Sequence, residues 1–207
     1  HENEADHDHE NEADHDHEEA EHDHDHEEAE YDEHVWLSLK NAKVLCVKIA
    51  ESLAELDGKN ADKYKSNADT YVKKLDELDA KYESTVAESS KNTILVGDRF
   101  PFRYMVDDYG LDYFAAFVGC SADSEASFET VTFLSGKTDE LGLGTVLKIE
   151  SSDGKIAETI RDNTAEKNQQ ILTLDSMQSV NSSDVDNGAT YISIMEKNLE
   201  TLKEALK

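Results

Sequence analysis

The sequence is poor in residues that identify nucleic-acid binders, redox proteins and membrane spans. It has 20 basic residues against 48 acidic ones and a net charge of -28, so no basic stripe is available to neutralise phosphates. Its two cysteines, Cys46 and Cys120, form no C-x-x-C pair, so a zinc-thiolate site or redox motif has no support. We expect two small buried residues, with a disulfide as the alternative. No apolar run reaches the roughly 18 residues that span a bilayer.

Signatures of catalysis are also missing. The sequence contains no G-x-S-x-G, no P-loop, no G-x-G-x-x-G and no H-E-x-x-H. Because catalytic zinc needs a cluster of protein ligands beside an open water position and a general base, we predict that the chain is not an enzyme. Its 207 residues, 37% hydrophobic, predict one folded domain with an appendage. The chain begins at His1 without a secretory signal pattern, which we interpret as a processed product or a fragment.

The first 30 residues form a tract of histidine and acidic residues. An octapeptide at residues 1–8 recurs at 9–16, and a degenerate third copy runs over 17–30. The composition predicts disorder without metal, while imidazoles flanked by carboxylates suit zinc, nickel and copper. The alternatives are a solvated acidic spacer or the remnant of an affinity tag, although a tag would be a plain histidine run. The predicted metal ligands of the tract are His7, His9, His15, His17, His22, His24 and His26.

After residue 31, short apolar strands alternate with amphipathic helices. This alternation predicts an α/β fold with a four-stranded, mainly parallel sheet flanked by helices. In the first helix, aliphatic residues from Val44 to Leu56 fall largely on one face. The predicted strands span residues 93–97, 113–118, 145–149 and 170–174, and the predicted helices span 41–56, 60–88, 100–109, 128–141, 153–163 and 188–206.

Polar residues follow each of the four predicted strands: Asp98 and Arg99 the first, residues 120–125 the second, 150–153 the third and 175–178 the fourth. Ligands of parallel sheets bind beyond the carboxyl ends of the strands, so these residues are candidates for a binding site. Asp98 follows the first strand, Glu150 the third and Asp175 the fourth. Asp98 has an equally good alternative role as the N-cap of the helix predicted from Phe100.

The segment from Asp32 to Ser38 (DEHVWLS), followed by Lys40-Asn41-Ala42, carries a family resemblance. It resembles the D-P-H-x-W-L-x-P-x-N-A motif of the zinc- and manganese-binding solute-binding proteins of ABC metal importers, the cluster 9 family. In the zinc branch of that family a His-rich acidic loop commonly lies just upstream. The resemblance covers nearly all of residues 31–207 and implies that His34 is a buried metal ligand. Glu33 and Leu39 replace the prolines of the motif.

The resemblance also implies a domain organisation. The family has two α/β lobes joined by a long rigid helix, with the ion held in the cleft between them. Residues 1–30 would be the metal-gathering tract, and 31–57 the ligand motif and helix that end the amino-terminal lobe. Residues 58–90 would be the linker helix and 91–207 the carboxyl-terminal lobe. The rest of the amino-terminal lobe, with the family's first histidine ligand, would then be missing from this chain.

One ligand position departs from the family pattern after the first strand of the second lobe. The family has a segment like H-x-A-F-x-Y-L there, and register through Phe102 and Tyr104 puts Arg99 at the ligand position. An arginine stays protonated and cannot ligate. Asp98 is the chemically sensible substitute.

A second departure lies before the terminal helix. The family's last ligand is usually Asp or Glu, and the alignment brings Gln178 to it. A neutral amide is a poor zinc ligand, so we expect Asp175 to take the role with Gln178 supporting it from the outer shell. Glu125 resembles part of the family's Glu-Pro-Ser segment, and we interpret it as structural or as a helix cap. Glu150 is a further candidate.

The function implied by the resemblance is capture of zinc outside the cytoplasm and delivery to an ABC permease in the membrane. The protein would be a monomer in the periplasm, or a lipoprotein on the outer face of the membrane. Histidine richness favours zinc, whereas the carboxylates Asp98 and Asp175 would tolerate manganese. The alternative function is a histidine-rich zinc buffer or metallochaperone without a transporter partner.

Overall fold

The computed structural model describes residues 32–119 and 126–207. The predictions for the tract at 1–30, and those for Cys120 and Glu125, lie outside these residues. The strands are β1 (Thr93–Phe100), β2 (Asp112–Val118), β3 (Thr145–Lys148) and β4 (Gln170–Thr173). The α-helices are α1 (Leu39–Leu56), α2 (Ala61–Glu88), α3 (Arg103–Tyr109), α4 (Phe128–Glu140), α5 (Lys155–Asp162), α6 (Ser182–Asp186) and α7 (Tyr191–Ala205).

The four strands form one sheet in the order β2-β1-β3-β4, and its strand pairs are parallel. The predicted α/β class is therefore confirmed. Parallel neighbours require crossover connections, which the intervening helices provide. Because all four strands run the same way, their carboxyl ends lie along one edge of the sheet. Asp98, Glu150 and Asp175 belong to this edge.

The sheet separates two hydrophobic cores, as a sheet covered on both faces requires. Alternate residues of β1 contribute to different cores: Ile94 and Val96 pack in the larger one, and Leu95 packs in the smaller one. The larger core includes buried residues of α2, α3 and α7, and the smaller includes residues of α4 and α5. At Gly97 a Cβ atom would lie 2.7 Å from the Cα of Ala157 in α5, so only glycine allows this close approach.

Helix α3 begins later than predicted, and Asp98 is not its N-cap. Strand β1 continues through Phe100, and α3 starts only at Arg103 with Phe102 in the N-cap position. The physical reason is Pro101, the only proline of the chain, because a residue before proline is biased towards extended conformations. Asp98 consequently lies within β1, beside an irregularity in the β1–β2 ladder between Val96 and Arg99.

Most of the large apolar residues of α1 lie outside its buried face, which includes Leu39 and Ala50. Ser38 caps the helix by accepting a hydrogen bond from Asn41 N, and its hydroxyl donates to Asp108 at 2.6 Å. Towards α2 the helix presents smaller side chains such as Cys46, which is unpaired and half-buried, and Ala50, which is buried. The large aliphatic side chains flank this seam and are exposed: Val44, Leu45, Val47, Ile49, Leu53 and Leu56.

Helix α2 has 28 residues, so it is about 42 Å long at the standard helical rise. Tyr82 anchors it to α7 by donating a 2.7 Å hydrogen bond to the Met195 carbonyl. Lys43 of α1 reaches Asp76 and Asp79 of α2 at 2.8 and 2.9 Å. In the part of the chain that the structure describes, no helix combines the length and hydrophobicity needed to cross a bilayer.

Candidate metal centre

His34 is buried, with 2% of its surface exposed, just before a 3₁₀ turn at Val35–Leu37 that leads into α1. Three long-range hydrogen bonds hold the segment around it. The Trp36 indole donates to the Ser176 carbonyl at 3.0 Å, and the Tyr191 hydroxyl donates to the Trp36 carbonyl at 2.7 Å. The Tyr104 hydroxyl donates to the Asp32 carbonyl at 2.9 Å. The position of His34 therefore depends on α3, α7 and the loop after β4.

The two nitrogens of the His34 ring have different partners. Nδ1 lies 2.6 Å from Asp32 Oδ1, and Nε2 lies 2.9 Å from Gln178 Nε2. An ionised carboxylate only accepts hydrogen bonds, so Nδ1 carries the proton of the neutral ring. The carboxamide nitrogen only donates, so Nε2 offers its lone pair. A carboxylate on one ring nitrogen is the usual way to orient a histidine whose other nitrogen binds a metal.

The carboxylate of Glu150 organises the loop after β4. It accepts from the backbone N–H of Ser176 at 2.8 Å, of Gln178 at 3.2 Å and of Ser179 at 3.3 Å. It also accepts from the hydroxyls of both serines at about 2.9–3.0 Å. Burial by itself would raise the pKa of Glu150, but these hydrogen bonds outweigh it and lower the pKa. Glu150 is thus occupied as an acceptor for the loop.

Asp175 is fixed by its neighbours at the start of the same loop. Its backbone exchanges two 2.8 Å hydrogen bonds with the Asn198 side chain, and its Oδ1 accepts from Met177 N at 2.8 Å. Burial raises the pKa of Asp175, and the charge of Glu150 adds to this effect, while the Met177 N–H opposes it. The residue that reaches the His34 ring is Gln178, which had been predicted only as a supporting residue.

Asp98 has a buried carboxylate oxygen without a hydrogen-bond partner. Its side chain lies in β1 with 5% of the residue exposed, and Oδ1 accepts from Arg99 N at 2.8 Å. Across residues 32–119 and 126–207, Oδ2 is the one buried side-chain nitrogen or oxygen atom that lacks a partner. Leaving a buried acceptor unsatisfied costs about 1–3 kcal/mol, and more for a charged group, so this atom is suited to a cation.

Within the described residues, one group of three possible ligands is close together. The ligand atoms of Asp32, Glu33 and His34 lie within 4.8 Å of one another. Because Asp32 already holds Nδ1 of His34, we interpret the group as an oriented histidine with its carboxylate partner. Sequence reasoning missed the roles of Asp32 and Glu150. Two sequence features could have indicated these roles. Asp32 lies two residues before His34, and Glu150 follows β3 while Ser176 and Ser179 lie in the loop after β4.

The chain matches the family model described as "ZnuA: Zinc-uptake complex component A periplasmic" over residues 2–205. The chain belongs to this family. Among its curated relatives is the zinc-binding protein AdcA of Streptococcus pyogenes serotype M6, 30% identical over 170 residues. That match covers 82% of this chain and 32% of AdcA. The high-affinity zinc uptake system protein ZnuA of Bacillus subtilis is 29% identical over 173 residues, which cover 84% of this chain and 53% of that protein.

Solved structures with related sequences share the fold of most of this chain. The metal-dependent lipoprotein YcdH of Bacillus subtilis superimposes with a TM-score of 0.73 at 28% identity, covering 85% of this chain and 65% of that one. The Zn(II)-bound ZnuA-like domain of Streptococcus pneumoniae AdcA gives a TM-score of 0.70 at 29% identity, covering 86% and 64%. The chain spans about a third to a half of the length of these curated relatives.

Proposed function

We propose that this chain captures zinc outside the cytoplasm and passes it to an ABC permease, as the solute-binding component of a metal importer. The observation that carries the proposal is the state of His34. It is buried, its Nδ1 proton is held by Asp32, and its Nε2 lone pair faces the loop after β4. A neutral imidazole fixed in one tautomer is a good zinc ligand. The relatives named as zinc-binding support the choice of ion.

The proposed ligands are His34 and the carboxylate of Asp98. The unpaired Oδ2 of Asp98 supports this role. The Arg99 guanidinium approaches the other oxygen, Oδ1, and lies 3.9 Å from it. Asp175 completes the proposed set from the loop after β4, and Gln178 supports it from the outer shell. An imidazole ligand favours zinc, while the two carboxylates leave manganese as a second ion that the site would accept.

The proposed division into residues 31–57, 58–90 and 91–207 is supported by α1. A helix that leaves six aliphatic side chains exposed is typical of a surface between lobes, since such a stripe is uncommon on free protein surfaces. The long α2 would then be the linker helix. A protein of this kind binds and releases its ion without chemical change, so no catalytic role is proposed.

The test uses Trp36, the only tryptophan, whose ring centroid lies 5.2 Å from that of His34. Zinc binding at His34 should change the Trp36 fluorescence, whereas calorimetry reports zinc bound anywhere in the chain. We expect a saturable change in the full chain that disappears in His34→Ala. We expect Asp98→Asn to weaken binding by roughly 10- to 100-fold. His22→Ala, which removes an imidazole of the tract, is the matched control and should leave the change intact.

The alternative function, a zinc buffer, makes a different prediction. The chain is titrated with zinc in a calorimeter, with and without residues 1–30. If His34 belongs to a transport site, the shortened chain should still bind one zinc ion tightly. Loss of all binding, together with a Trp36 signal that His34→Ala does not alter, would favour the buffer and contradict the proposal.

A further inference from the structure

We infer that Gln178 is a reversible cover on the metal-accepting nitrogen of His34. The inference rests on the proposed zinc site and concerns how that site is held when it is empty. The carboxamide nitrogen of Gln178 lies 2.9 Å from His34 Nε2. Because Asp32 occupies Nδ1, Nε2 carries the only lone pair that the neutral ring can offer to a metal. One lone pair cannot accept a hydrogen bond and bind zinc together, so zinc must displace the amide.

The backbone of Gln178 is placed independently of His34. Its N–H donates to Glu150 Oε1 at 3.2 Å, and the preceding residue Met177 has a left-handed backbone with a φ of 61°. A non-glycine residue adopts this conformation only when its surroundings hold it. Here Asp175 Oδ1 accepts from Met177 N at 2.8 Å and fixes the turn. The turn therefore places the backbone of Gln178 beside the ring independently of the contact between the amide and His34.

Release of the ring nitrogen does not bury the amide. Residue 178 is exposed, so the displaced amide can bond to water without a desolvation penalty. The cover thus contacts a buried ring nitrogen when the site is empty, and zinc has to displace this one contact when it binds. The hydrogen bond from Gln178 to His34 stabilises the zinc-free site and weakens zinc binding by the factor by which it favours that zinc-free site. For one neutral hydrogen bond that factor is about fivefold.

The direction in which Gln178→Ala changes the affinity for zinc tests this inference. Gln178→Ala removes the amide but keeps the N–H that donates to Glu150, so the loop should retain its shape. We expect zinc to bind the full-chain variant about fivefold more tightly in the Trp36 titration. A glutamine that is itself a ligand, or that only supports the loop, would give weaker or unchanged binding, and either result would overturn the inference. Gln178→Glu should also tighten binding, because an ionised carboxylate cannot cover the lone pair and adds an oxygen ligand.

Two controls separate this inference from the proposed function. Gln170→Ala, which removes an exposed glutamine whose amide bonds to Glu204, should leave zinc affinity unchanged. Nitrogen-15 NMR of the imidazoles without metal should show His34 as the Nδ1-protonated tautomer, with an Nε2 signal that moves in Gln178→Ala. An Nε2 signal that does not move would contradict the role of Gln178 as a cover and would leave the proposed function unaffected. Absence of any His34-dependent zinc response in the parent would overturn the proposed function and the cover together.

Discussion

Glu150→Gln removes the charge beneath the loop after β4 while hardly changing the shape of the side chain. In the native protein Oε1 accepts from Gln178 N and Ser179 N, and Oε2 accepts from Ser176 N. A glutamine keeps one acceptor oxygen and replaces the other by an amide group. Whichever way it turns, the amide hydrogens then point at backbone N–H groups. We expect at least one strong hydrogen bond to be lost and one donor to be left unpaired.

The expected cost follows from these contacts. Hydrogen bonds to a charged acceptor contribute about 1.5–3 kcal/mol each. Glu150 is only half-buried, so solvent screening reduces this value, and we expect roughly 1–3 kcal/mol in the free energy of unfolding. The free energy of unfolding of a typical domain is about 5–15 kcal/mol. The variant should therefore fold but unfold at a clearly lower urea concentration. The Trp36 emission should shift to the red as the Ser176 carbonyl loosens.

Urea unfolding at two pH values tests the reasoning. The pKa of Glu150 is lowered in the folded protein, so its contribution is present above its ordinary value of 4.5 and is lost as the pH falls through the folded value. The difference in the free energy of unfolding between parent and variant should be full at about pH 7 and should shrink as the pH falls below 4.5. Glu166→Gln, at an exposed position, is the matched control and should change little. A difference below about 0.5 kcal/mol at neutral pH, or one independent of pH, would refute this account.

Three further predictions concern the core and the tract. Gly97→Ala should destabilise the protein by about 1–3 kcal/mol in chemical denaturation, and adding Ala157→Gly should not restore it, because the nearest atom is the backbone Cα at 2.7 Å. Tyr82→Phe should cost about 1 kcal/mol through the lost bond to the Met195 carbonyl, and an unchanged thermal midpoint would contradict this. Residues 1–30 should bind zinc at about pH 7.5 and release most of it at about pH 5.5, because the imidazoles become protonated. Calorimetric titrations that show the same zinc occupancy at both pH values would contradict this.

The fold could be predicted because its signals are local. Each strand is a short apolar run, and each helix has its own periodicity, so the parallel sheet follows from their alternation. The boundary error arose where one residue extended a strand, and the periodicity of α1 did not tell which of its faces is buried. Pro101 extended β1 through Phe100. In α1 the apolar stripe was real, but the helix packs through the smaller side chains beside it.

The candidate site was less predictable, since it depends on pairings across long stretches of sequence. His34 could be named from its motif, and Asp98 from its strand. Whether a carboxylate is already satisfied cannot be read from its neighbours in sequence. Glu150 is occupied by donors from 26 to 29 residues away, whereas one oxygen of Asp98 is left unpaired. The contact between Gln178 and His34 spans 144 residues.

The hydrogen bonds that hold the His34 segment have a consequence for the order of events during folding. Trp36 reaches a carbonyl 140 residues later, and Tyr191, 155 residues later, reaches back to it. Closing loops of that length is entropically unfavourable and slow compared with forming local contacts. The binding pose of His34 therefore has to wait until α7 has been made and has docked. A change that slows the docking of α7 would delay zinc binding even though His34 lies more than 150 residues before that helix.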